Sequence, residues 1–492
     1  MEMDKVSERA ESFFNAISEE YYLSSSGLKE DSNLSKIYEE YQDLCGKDII
    51  NSYIEYSSVN GSDRQNAQML EFLHSLYQGF LTRESSDELL RLEATTTLNI
   101  SGEEIMYRQA PVILKNEPDR EKRKLIQQAV YEIVERDNPK RLEMLQTVHR
   151  VADEFGYDNY SELISTLSGI NLNSFLVQCE EFLSKTEDMY TDVASWAFKK
   201  HLNLSLEDAA TYDSSYLFRM TEFDDYFPVA DLLPKVEKSI SAMSLDIKVD
   251  GNITFDTETR PSKSPRAFCA PISVPDRIML VIMPQGGLSD YQSFLHELGH
   301  AMHYAHTDHT LPMEFRYLGD NSVTESFAIL FDHLTLNDIW LKKIAGMSDT
   351  KNYLLMANLL ELYMLRRYCA KFIYEKELHG NSELTDISDA YSSILTEATK
   401  INYNPVNYLN DVDSEFYCVR YLRAWMLQSL HNSYLKEEYG DDWFLNPETG
   451  SKLKELWNHG QKLNADEMAK IVSTEKMNFN NLINSIKEGF DG

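Results

Sequence analysis

Three residues, His296, Glu297 and His300, have the types and the spacing for chemistry on a metal ion. They lie within Phe294-Leu295-His296-Glu297-Leu298-Gly299-His300-Ala301-Met302-His303. On a helix, residues four apart stand roughly 40° apart around the axis and one turn along it. His296 and His300 can therefore aim two imidazoles at one ion, and Glu297 flanks that face within reach of a metal-bound water. These are parts of metal-assisted hydrolysis. Still needed are a third ligand, a group to stabilise an oxyanion and a place for a substrate.

A catalytic zinc of this kind takes three protein ligands and keeps one position open. His306, six residues past His300, is one option. The longer three-histidine motif needs a glycine three residues after His300 to end the helix. Position 303 is His, so the helix should continue and carry His306 away. Glu325 is the other option. It falls in the first turn of Ser322–His333, an otherwise apolar segment, where a carboxylate projecting into a core needs a partner such as zinc. Ser322 and Glu325 also fit a capping box, in which Glu325 would cap its own helix. With the histidine pair 25 residues upstream, the ligand reading is preferred. His303 shares the His296 face and reads either as a partly exposed helix residue or as a further partner of the site. Asp332, seven residues past Glu325, is a candidate to orient a ligand imidazole through its free N–H.

Several elements must position these groups. Ser289 and Gln292 match a capping box and predict the start of the motif helix, whose buried side is Phe294, Leu295, Leu298, Ala301, Met302 and Ala305. Upstream, Ile253–Phe255, Ala267–Cys269 and Arg277–Met283 predict a small sheet at about 250–286. The apolar run Ile278–Met283 is expected beside the site, with an edge open to an extended substrate backbone. The rest reads as helices, with Phe13, Phe14, Ile17 and Tyr21 at helical spacing and one or two long charged helices over 84–135. Loop signals stand at Ser24–Gly27 and Asn60–Ser62. The polar stretch Asp208–Asp225 predicts a hinge. The expected organisation is a mainly α protein with an N-terminal helical lobe at 1–210 and a catalytic lobe at 211–492, the zinc-site helices at about 289–340.

The formal net charge of −33 opposes binding to nucleic acids and anionic membranes. The five cysteines are scattered and form no C-x-x-C pair, which argues against a disulfide framework or a thiolate zinc site. The N-terminus has no basic region followed by an apolar core, and the longest apolar run is too short for a bilayer. A cytoplasmic protein is expected.

The string His296 to His303, with Glu325 29 residues after the first histidine, resembles the thimet oligopeptidase and oligoendopeptidase F family of zinc metallopeptidases. So do Ser264–Cys269, the strand after it, the Gly286-Gly287 turn and Leu456–Gly460. The resemblance is specific over about 250–340 and general elsewhere. It implies one zinc ion held by His296, His300 and Glu325, with Glu297 as general base. It implies a two-lobed helical fold with a deep channel that admits short peptides. It also implies an oxyanion-stabilising tyrosine from Glu415–Trp425, where Tyr417 and Tyr421 are the matching residues. The expected activity is hydrolysis of internal bonds in oligopeptides. The alternatives are a carboxypeptidase or dipeptidyl carboxypeptidase, with Arg266, Arg420 or Arg423 capturing a terminal carboxylate, or an inactive peptide-binding homologue.

Overall fold

The computed structural model describes the chain except residues 1–2, 30–32, 61–62, 261, 381–386 and 492. The loop expected at Gly61–Ser62 lies outside the described residues. The fold is mainly helical, with two small sheets. No helix among the described residues is long and apolar enough to cross a membrane. All five cysteines are free thiols.

The chain packs as two compact units, each assembled from three stretches. Unit one comprises Met1–Phe80, Glu222–Lys351 and Arg423–Leu482, and unit two comprises Leu81–Thr221, Asn352–Leu422 and Ile483–Gly492. A single cut at residue 210 does not describe this division, although one crossing, at Thr221/Glu222, falls inside the polar stretch Asp208–Asp225. The physical reason is long-range packing of the N-terminal helix α1 (Met3–Ser25). Its Tyr22 joins Phe268, Ala270, Ile272, Met279 and Val281 in one buried cluster. Its Glu11 pairs with Arg316 at 2.6 Å, and its Phe14 ring lies 4.8 Å from Tyr317.

Unit two begins within the long helix α2 (Arg64–Thr95) and continues into a hairpin of β1 (Thr97–Ile100) and β2 (Glu103–Met106). That hairpin interrupts the stretch expected to be helical over 84–135, and its Leu98, Ile100 and Ile105 bury against Ile126 of α3 (Arg120–Glu154). In unit one, β3 (Ile253–Asp256), β4 (Phe268–Ser273) and β5 (Arg277–Val281) form a sheet in the order β3-β5-β4. β5 runs parallel to β3 and antiparallel to β4. The apolar run is therefore the central strand with both edges paired, so it does not offer the open edge expected of it. Ile278 to Val281 are buried without alternation because both faces of β5 are covered, Met279 and Val281 by Tyr22 of α1 and the other face by the helix Leu288–Ala305. β4, at the sheet edge, does alternate, with Phe268, Ala270 and Ile272 inward.

Helix α4 (Leu288–Ala305) carries the H-E-x-x-H string. Its start differs from the expected capping box, because Ser289 lies inside the helix and Gly287 is the N-cap, with no side-chain cap. The turn before it is closed from the other direction. Gly286 and Gly287 take φ of +100° and +90°, and the Asp290 carboxylate accepts N–H bonds from Gln285 at 2.7 Å and Gly286 at 2.5 Å. Helix α5 (Ser322–Asp332) packs on α4 and is buried from Ser322 to Phe331.

Candidate metal centre

Gly299 sets how closely α4 and α5 approach. A Cβ there would stand 2.5 Å from both Ala328 Cα and Phe327 O, so only a residue without a side chain lets the backbones meet. Glu325, about one turn before Ala328, is thereby pressed against the face that carries His296 and His300. Its Oε2 lies 3.4 Å from Nε2 of each imidazole. Ligand atoms on one tetrahedral ion at about 2.1 Å stand about 3.4 Å apart. The spacing thus fits a zinc ion, and among the described residues these three form one of two sets able to hold a metal.

The rear nitrogens fit as well. His296 Nδ1 lies 2.8 Å from Asp332 Oδ2, and His300 Nδ1 lies 2.9 Å from Thr324 Oγ1. The Asp332 carboxylate only accepts, so His296 Nδ1 carries hydrogen there; the Thr324 hydroxyl is able to accept in the same way from His300 Nδ1, and in that arrangement each Nε2 is the nitrogen left for a metal. The electrostatics show how strongly the groups couple. Burial alone would raise the Glu325 carboxyl, yet the two imidazoles hold it well below the usual carboxylate range. Burial would lower His296, yet Asp332 and Glu325 push it well above its ordinary value. A buried carboxylate facing two imidazoles favours a cation between them.

Glu297 is half-buried, and its carboxylate makes no hydrogen bond or ion pair among the described residues. It borders β4: after burial, its charge is what keeps the Cys269 thiol well above its ordinary pKa. On β5, Ile278 N–H and the following Ile282 N–H both bond to the β3 side, at Asn252 O and Asp256 O. Met279 and Val281 therefore face β4, paired with Ala270 and Phe268. The polar backbone groups of Cys269 and the carbonyl of Pro271 consequently point to the outer edge of the sheet.

Other expected residues are placed differently. Ser322 does not cap α5; Asn321 holds the N-cap position without a side-chain bond, and Glu325 turns to the imidazoles instead. His303 is neither exposed nor part of the site. It is fully buried, its Nε2 lies 3.2 Å from Gly460 O, and burial pushes it down to about 3. α4 runs on to Ala305, and His306 turns to stack near Trp457 with its Nδ1 2.8 Å from Met302 O. Arg423 is committed to Asp466 at 2.9 Å and Asp320 at 3.5 Å, while Arg266 is exposed. Tyr417 and Tyr421 belong to unit two, at the start of α7 (Tyr417–Tyr439), with ring centroids 5.1 Å apart. Sequence reasoning missed Thr324. Its only signal was a hydroxyl beside Glu325 in an apolar helix, which could equally have bonded its own backbone.

The second metal-type set lies in unit two, with Glu375 on α6 (Lys351–Gly380), Asp413 in the chain leading into α7 and Cys418 in the first turn of α7. There the Lys371 ammonium already lies 2.7 Å from Asp413 Oδ1 and 3.9 Å from Glu375 Oε1. The cation is built in.

No family model matches this sequence, and no curated protein matches it either. The fold is similar to a solved structure described as PZ peptidase A with an inhibitor. The two share a TM-score of 0.67 at 15% sequence identity over 93% of this chain and 87% of that one. The chain has the helical fold of a known peptidase.

Proposed function

We propose that this protein is a zinc-dependent peptidase of the thimet oligopeptidase and oligoendopeptidase F type, hydrolysing internal bonds of short peptides. The observation that carries the reading is the Glu325 oxygen 3.4 Å from both Nε2 atoms, with both Nδ1 atoms anchored behind. His296, His300 and Glu325 would hold the zinc. When bound, the ion acidifies a water and polarises the scissile carbonyl. Glu297 takes the proton from the attacking water and passes it to the leaving amine. Its carboxylate is available for this because it has no other partner among the described residues.

The substrate backbone is read as adding to the outer edge of β4, which offers Cys269 N–H and C=O and the Pro271 carbonyl. Pro271 has no N–H, so the edge donates at one position only over these two residues. Tyr417 or Tyr421 is the proposed oxyanion donor, supported by the resemblance of their segment.

Metal analysis combined with a library of fluorogenic peptides, each in end-blocked and free-ended form, tests this function. One zinc per chain and cleavage within the blocked peptides is the expected result. Cleavage confined to peptides with a free terminus would make it an exopeptidase, and zinc without any cleavage would make it a binding homologue.

A further inference from the structure

The chain leading into α7 is held along one stripe of α6. Arg367, Lys371, Glu375 and His379 recur every four residues and share a helix face. Arg367 Nη2 donates to both carboxylate oxygens of Asp411 at 2.7 Å, and the Tyr391 hydroxyl donates to the same group at 2.9 Å. Lys371 pairs with Asp413 at 2.7 Å. The fully buried Glu375 accepts the Asp413 N–H at 2.7 Å through Oε1 and the Cys418 thiol at 3.2 Å through Oε2. The His379 ring stands 4.9 Å from that of Phe416, which also meets Phe372 and Tyr160. Four successive turns of one helix thus grip successive points of a short segment.

Inside that segment the backbone is strained. Glu415 and Phe416 have φ of +56° and +54°, two consecutive non-glycine residues in the left-handed region. L side chains avoid this conformation, and it persists only where the surroundings over-determine it. Glu375 holds the chain on both sides of the strained pair, at residue 413 before it and residue 418 after it. The next residue after the pair is Tyr417, the first of α7. Tyr421, one turn on, packs its ring 5.4 Å from Tyr368 of α6.

We propose that Glu375 is a positioning residue for the tyrosines: by gripping Asp413 and Cys418 it keeps the Glu415–Phe416 turn strained and so sets the direction in which α7 begins, and with it the Tyr417 and Tyr421 hydroxyls. The inference rests on the reading of one of those tyrosines as the oxyanion donor.

A double-mutant cycle on the full-length, zinc-loaded protein tests it, using an end-blocked fluorogenic peptide. Y417F and Y421F identify the acting tyrosine, whose loss is expected to lower kcat about 100-fold. E375A is expected to lower kcat about tenfold with KM and zinc content close to wild type, because a hydroxyl misplaced by about 1 Å fails mainly in the transition state. E375Q, an isostere of the neutral acid, is expected to restore most of that loss. In the background of the acting tyrosine variant, E375A should cost nothing further. If both single tyrosine variants keep wild-type kcat, the oxyanion reading falls and the positioning role with it. If a tyrosine variant is impaired and E375A multiplies its loss in full, only the positioning role falls. Should E375A fail to fold, C418A removes one of the two contacts and enters the same cycle with the same outcomes.

Discussion

Two places in the described chain bring three metal-type groups together, and they are built in opposite ways. Between α4 and α5, His296, His300 and Glu325 converge, and the charges acting on Glu325 are those of the two imidazoles. In unit two, Glu375, Asp413 and Cys418 converge just as closely, but Lys371 lies among them. Both sets satisfy a proximity criterion. Only the first has what a metal needs behind its ligands, namely Asp332 and Thr324 fixing which ring nitrogen faces inward. The second has its counter-ion on the adjacent turn of the same helix. The comparison teaches that ligand atoms in proximity do not make a metal centre; the source of positive charge decides.

The largest effects should come from the first set. Glu297→Gln is expected to keep zinc and lose turnover by about 10³-fold or more, because it removes the base without touching a ligand. Metal content and kcat measured on one preparation check this, and near-normal hydrolysis would sink the assignment. Glu325→Gln should cost the zinc itself, whereas Glu375→Gln should leave zinc stoichiometry at one per chain. A lower metal content in the Glu375 variant would erase the distinction between the two sets.

Smaller effects should follow from the groups behind the ligands. Asp332→Asn is expected to weaken zinc binding about 10- to 100-fold, measured by competition with a chromophoric chelator. Thr324→Val should do less, since a hydroxyl is a weaker acceptor than a carboxylate. Gly299→Ala is expected to lower stability by about 1–3 kcal/mol by forcing α4 from α5, read from denaturant midpoints. Zinc affinity should fall with it, because the same contact sets the Glu325 distance.

How much of this was legible follows from how local each feature is. The histidine pair and Glu297 sit on one helix, so a 3.6-residue period displays them. The close approach at Gly299 was not legible, because it depends on where Phe327 and Ala328 of α5 lie. Glu325 was legible because a buried carboxylate in an apolar helix demands a partner, and Asp332 because it stands two turns further along the same helix. The division into units was not legible, since α1 reaches its place through contacts with residues more than 240 positions away, such as Tyr22 with Phe268. Nor was the pairing of β5 on both edges, because an apolar run reads the same whether its neighbours cover one edge or two. The Ser289 and Ser322 capping boxes failed for one reason: competing partners, Asp290 on the preceding turn and the imidazoles on Glu325, made the box unnecessary.

The second set also carries the smallest of these effects, a pH dependence that the first set does not share. Burial pushes the Glu375 carboxyl up to about 8, against Lys371, with Asp413 adding to the rise. From the ordinary carboxylate range up to about 8, the folded chain keeps a proton that the unfolded chain has released. Stability therefore falls as pH rises across that window, and above about 8 this group adds no further slope. Lys371 is pushed to higher pH by Asp411, Glu375 and Asp413 despite its burial, and it stays charged throughout the window in both states. Cys418 is also raised, first by burial and then by Glu375 itself, and contributes only at higher pH, outside this window. The stability of wild type minus that of Glu375→Gln should thus decline from pH 5 to 8 and then level, measured as denaturant midpoints at fixed zinc. A flat or rising difference would mean that Glu375 is ionised in the folded chain. The Lys371 ammonium would then balance two carboxylates, and the second set would no longer differ from the first by having its charge already neutralised.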